Sequence, residues 1–175
     1  MDTHTNTRVP KAQKKVEFII ELVVNELAKL GLSGLSLFFS VLLSETLEKY
    51  KIESYIVNGF KIVSEGKFAL RHYWIRVDEI DYDISELVEA KLGIDNPDLE
   101  VILASNLDSF PEAERIDCDT DEERVTLQLM EEGYKSYVES TDKDKNTIWW
   151  KNIPAELILV RDKILKSCAE APLKF

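Results

Sequence analysis

From Leu35 to Leu43 every position is apolar except Ser36 and Ser40. A helix so uniformly apolar has almost no solvent face, so it must run through a core with other elements packed around it. The helical spacing carries on to Tyr50, which predicts a helix over 35–50, entered by the turn Gly31-Leu32-Ser33-Gly34. Phe39, Leu42, Leu43 and Leu47 stand three, six, seven and eleven residues beyond Ser36 and share its side of the helix. Ser36 is therefore expected to face inward at the helix mouth, where unpaired backbone N–H groups and the positive dipole end gather.

The neighbours of this helix follow from the flanking patterns. Pro10 suits the first turn of a helix running to about Leu30, with Gly31 as its stop. Its apolar positions Phe18, Ile19, Leu22, Val23, Leu27 and Leu30 recur at helical spacing. Glu17, Glu21, Asn25, Glu26 and Lys29 interrupt them, so this is an amphipathic helix and not a membrane span. From Ile52 the pattern becomes β-branched and aromatic. Strands are predicted over 54–63, 68–77 and 80–84, with turns at Glu65-Gly66-Lys67 and Asp78-Glu79, an antiparallel meander packed on the second helix. Beyond it, Ser85 is read as the cap of a short helix to Leu92, 99–104 as a strand and 110–119 as a loop. Thr120 or Asp121 opens a helix to about Val138, and Pro154 starts a last one to about Ser167. Residues 1–9 read as a flexible tail and 10–175 as a single domain.

Composition narrows the function classes. The formal net charge of −11, with no basic run longer than Lys11 to Lys15, speaks against binding nucleic acid phosphates. Cys118 and Cys168 lack metal-ligand spacing and make no disulfide framework, so a reducing compartment is the default. Met1 to Thr7 is polar and lacks the apolar centre of a signal peptide, which makes the expected location cytoplasmic, or one reached from the cytoplasm without a Sec-type signal, with no membrane association. Asp117-Cys118-Asp119-Thr120-Asp121 alternates acids as a calcium loop does, yet Glu122 stands where the glycine is needed and Gln128 where the last ligand is needed. No phosphate loop, dinucleotide fingerprint or zinc-type histidine pair is present, so no cofactor is expected.

Only two histidines exist, and His4 lies in the tail, so an imidazole base in this chain must be His72. A single histidine beside Trp74 on a strand is usually structural. Ser36 before it and Asp83 after it change the weighing, because a base needs a nucleophile within reach and an acceptor for its far nitrogen. Pairing Val77 with Ile80 across the turn brings Asp83 near Trp74 and within reach of His72. Asp81 shares the face of Asp83 and competes for the same role.

These residues carry a family resemblance over 34–85. The helix opened by Ser36, with Phe39 and Ser40 three and four later, Ile52, and the strand end Val57-Asn58-Gly59 resemble the transglutaminase-like, papain-related superfamily. His72-Tyr73-Trp74-Ile75-Arg76-Val77 resembles its His-x-Trp-Val-x-Val strand, and Asp83-Ile84-Ser85 its closing Asp-x-Thr. The family's nucleophile is cysteine, where this chain has Ser36, and Lys51 replaces the family's glycine before Ile52. The resemblance implies an α+β fold, a transglutaminase-like (papain-like) core with a helix packed on an antiparallel sheet. It also implies acyl transfer or hydrolysis at an amide of a peptide or protein by Ser36, His72 and Asp83. Three readings of Ser36 stand: a working serine, a retired enzyme kept for binding, or a cysteine-to-serine form. The alternative class is a non-catalytic binding, immunity or adaptor protein retaining the fold.

Overall fold

The computed structural model describes residues 11–63, 66–94, 100–103, 108, 111–116, 128, 131–132 and 153–172. Helix α1 spans Lys11–Lys29 and α2 spans Ser36–Lys49. Gly31 ends α1 in the left-handed region at φ +66, where a side chain is disfavoured. Its N–H donates to the Ala28 carbonyl at 2.9 Å, and the Leu32 N–H returns to Leu27 at 3.5 Å. The buried stripe of α1 is Val16, Ile19, Ile20, Val23, Val24 and Leu27. Leu22 and Leu30, expected in the core, pack only at its edge, so the helix is rotated slightly from the predicted face.

In α2, every residue from Leu37 to Leu43 is buried, as the sequence demanded. Ser36 opens the helix and is half-buried. The far end of α2 is tied down by Tyr50, whose hydroxyl donates to the Cys168 carbonyl at 2.7 Å in α4 (Ala155–Glu170). Lys15 donates to the Tyr50 carbonyl at 3.2 Å, a cation placed at the negative end of α2. Midway along, the carboxylate of buried Glu45 accepts both Nε and Nη2 of Arg161 from α4, the first at 2.8 Å.

The sheet contains β1 (Tyr55–Val63), β2 (Phe68–Val77), β3 (Ile80–Tyr82), β4 (Glu100–Leu103) and β5 (Glu114–Ile116), in the order β3-β2-β1-β4. All neighbours on that path are antiparallel, whereas β5 runs parallel to β2. The Asp78-Glu79 turn has φ +47 and +64, the pair of left-handed residues that a tight hairpin requires. Because β1 lines one edge of β2 throughout, β3 and β5 must share the other edge. There β3 covers Ile75–Val77 and β5 covers Phe68–Leu70. Among the described residues no strand covers Arg71–Trp74 on that edge.

Tyr73, Ile75 and Val77 join the core formed by α1 and α2. Alternation along β2 turns His72, Trp74 and Arg76 to the other face, where His72 and Trp74 are nonetheless buried. The architecture is thus α+β, helices on a mainly antiparallel sheet.

Three local expectations need correction. The third strand ends at Tyr82 and not at Ile84, because Asp83 leaves the ladder to cap α3 (Ile84–Lys91). Asp83, not Ser85, is that cap: its side chain accepts the Glu86 N–H at 3.2 Å. The stretch 110–119, expected to be a loop, contains β5, three residues too short to show a period. Of the predicted helix over 120–138 only Gln128, Glu131 and Glu132 are described, and they are helical. The tail 1–9, Cys118 with its acidic neighbours, Ser140 to Asn146 and Trp149-Trp150 lie outside the described residues. Among the described residues no helix is long and apolar enough to cross a membrane.

Candidate functional site

The middle of β2 carries His72, and the predicted residues flank it: Asp83 bonds the ring and Ser36 bonds the amide of the next residue. Among the described residues β3 ends at Tyr82 and no strand pairs with Tyr73 on that side; the Ser36 hydroxyl accepts the Tyr73 N–H at 3.3 Å. His72 is the preceding residue on the strand. Its Cα is roughly 2.4 Å from the Tyr73 nitrogen by covalent geometry, so the hydroxyl lies within about 6 Å of that Cα. Asp83, which follows β3, lies on the same side of β2. The His72 ring is committed to it through an Nε2···Oδ2 bond of 2.6 Å. Ser36 and His72 share no hydrogen bond: the structure joins His72 to Asp83 and sets Ser36 on the adjoining amide.

Sequence parity left Asp81 and Asp83 as competitors, and their partners separate them. Asp81 is occupied by Arg76, which donates Nε at 2.7 Å and Nη2 at 2.9 Å in a fork. Burial works against the charge on Asp83, but the His72 hydrogen bond and charge, the Glu86 amide and the Lys61 ammonium outweigh it. The net effect holds the Asp83 carboxyl below the usual carboxylate range. Trp74 stacks beside the imidazole, with ring centroids 6.2 Å apart and planes 25° from parallel. With His72 only 5% exposed, water has little access to the ring.

Two clusters around the site were not anticipated. Lys61 of β1, 7% exposed, donates to Glu89 of α3 at 3.3 Å, and Ser85 donates to the same carboxylate at 3.4 Å. On the other side, Glu131 accepts from Arg71 Nη1 and from the Tyr73 hydroxyl, each at 2.6 Å. Burial and the Glu131 carboxylate push the Tyr73 hydroxyl above its ordinary value. The sequence did hold one signal for the capping role of Asp83: Asp83-Ile84-Ser85-Glu86 has the spacing of a capping box.

Cys168 is no rival nucleophile. It is buried, and burial, helped by Glu26, pushes its thiol up to about 11. Among the described residues no group of three or more histidine, cysteine or carboxylate side chains is arranged to hold a metal ion. The fold defines the class, an α+β domain with a histidine–carboxylate pair at a sheet edge. Searches against family models, curated proteins and solved structures match nothing to this chain.

Proposed function

We propose that this protein performs acyl transfer or hydrolysis at an amide of a peptide or protein, on a transglutaminase-like core. Ser36 holds the nucleophile position, His72 is the general base and acid, and Asp83 orients it. The observation that carries this reading is the 2.6 Å His72–Asp83 bond, together with the Ser36 hydroxyl on the amide of the next residue. With Nε2 given to Asp83, Nδ1 is the ring nitrogen left to take a proton. It would accept the hydroxyl proton as the oxygen attacks the amide carbonyl. The imidazolium so formed, stabilised by the Asp83 carboxylate, would return that proton to the departing amine. Ser36 is the first residue of α2, and its N–H would donate to the oxyanion, helped by the helix dipole. Water or an amine then takes the acyl group. Catalytic hydrogen bonds are commonly looser before substrate binds, and closure of Ser36 onto Nδ1 belongs to that step.

The family that the chain resembles uses cysteine at this position, whose thiolate an imidazolium and a helix mouth can hold at rest. A serine must instead lose its proton during attack. A second reading, a binding protein that keeps the fold, is favoured by one observation: Ser36 accepts from Tyr73 and not from His72. An acyl-donor activity probe separates the two. The catalytic reading expects labelling of the protein or of its Ser36→Cys variant, abolished by His72→Ala. Labelling of neither folded protein would leave the binding reading.

A further inference from the structure

Lys61 is a buried cation that the proposed chemistry does not use. Burying a lysine is costly unless its charge is matched, and a Lys–Glu pair in such a place is generally no better for stability than two apolar residues of similar volume. Its position on β1 suggests what it does. Gly59 pairs with His72 and Lys61 pairs with Leu70, so Lys61 and His72 are diagonal neighbours on one face of the sheet. Gly59, directly opposite the imidazole, contributes no side chain that would stand between them. The partner of Lys61, Glu89, lies on α3, whose N-terminal cap is Asp83 itself.

We propose that Lys61 is a positioning residue for the His72–Asp83 pair: its ammonium, fixed by Glu89 and diagonal to the imidazole on one face of the sheet, supplies positive charge that favours the Asp83 carboxylate in its bond to the ring. The catalytic meaning of this rests on the function proposed above. The charge of Lys61 is among the causes that hold Asp83 below the usual carboxylate range. The other charged groups around the pair are matched elsewhere. Asp81 of β3 is forked by Arg76, and Glu131 takes Arg71. Glu86 of α3 meets Asp83 through its backbone N–H, and Glu114 and Arg115 of β5 are exposed. At its mouth α2 contributes only the neutral Ser36. Among the described residues Lys61 and Glu89 therefore form the remaining pair able to bias the Asp83 carboxylate, and they bias it in opposite directions.

That opposition supplies a test that a merely structural role would not pass. The titration midpoint of the Asp83 carboxyl is followed by its carboxyl carbon resonance in the full chain. Lys61→Met should move the Asp83 midpoint to higher pH, by about 1.7 units for a unit charge some 7 Å away at an effective dielectric constant near 20. Glu89→Gln should move it to lower pH, and Lys61→Arg should leave it in place. If Glu89→Gln does not fold, the contrast between Lys61→Met and Lys61→Arg decides alone. A midpoint that stays fixed in Lys61→Met, or moves equally in Lys61→Arg, overturns the assignment. No substrate is needed, so a protein inert toward amides would remove the proposed reaction and leave this result standing.

Discussion

Asp83 does two jobs with one carboxylate, and substitutions can take them apart. Oδ1 accepts the Glu86 N–H at 3.2 Å and caps α3, while Oδ2 accepts from His72 at 2.6 Å. The side chain is 13% exposed, so neither bond is much screened by water. A lost N-cap costs about 1 kcal/mol, and a hydrogen bond to a charged group contributes about 1.5–3 kcal/mol. Asp83→Ala forfeits both, an expected loss of about 3 kcal/mol. Asp83→Asn keeps a good capping side chain and a neutral acceptor for the imidazole, so its loss should be near 1 kcal/mol. Urea unfolding at neutral pH measures both. Because the folded-state carboxyl titrates below the ordinary value, the advantage of the parent over Asp83→Ala is fully present above about pH 4 and is lost as pH falls through the folded value. Equal losses in the two variants, or an advantage that grows on acidification, would refute the dual role.

Other consequences can be checked with the same methods. Arg161→Met strands the buried Glu45 carboxylate and should cost about 3–5 kcal/mol, whereas Arg161→Met combined with Glu45→Met should recover most of that in a double-mutant cycle. Asp78→Asn with Glu79→Gly relieves two left-handed non-glycine residues and should stabilise the protein by about 1 kcal/mol or more, read as a rise in Tm. The Cys168 thiol, held up at about 11, should resist thiol reagents at neutral pH in the folded state. Its contribution to stability is fully present below about pH 8.5, where an unfolded thiol is still protonated, and is lost as pH rises through the folded value.

Much of the scaffold was legible because its signals are local and strong. The apolar run after Leu35 could only be a central helix, the two left-handed turn positions fixed Val77 opposite Ile80, and that register carried Asp83 toward His72. The sequence said little where the outcome depended on a strand ending. Only the capping-box spacing of Asp83 and Glu86 hints that the ladder stops at Tyr82, and that stop frees Asp83 to cap α3. Alternation could not separate Asp81 from Asp83; Arg76 did. Lys61 escaped notice because a strand lysine is ordinarily solvated, and its burial depends on an α3 glutamate 28 residues away.

The central claim is that the imidazole of His72 can reach the side chain at position 36, and the Ser36→Cys variant tests it without a substrate. The rate of iodoacetamide alkylation at that position, followed against pH by peptide mass mapping, reports how readily its thiol ionises. A thiol at a helix mouth within reach of an imidazole should ionise well below the ordinary value of about 8.5 and return toward it when His72→Ala is added. An alkylation midpoint near 8.5 in both proteins would mean that the ring and position 36 do not meet, and the proposed acyl transfer would have no base.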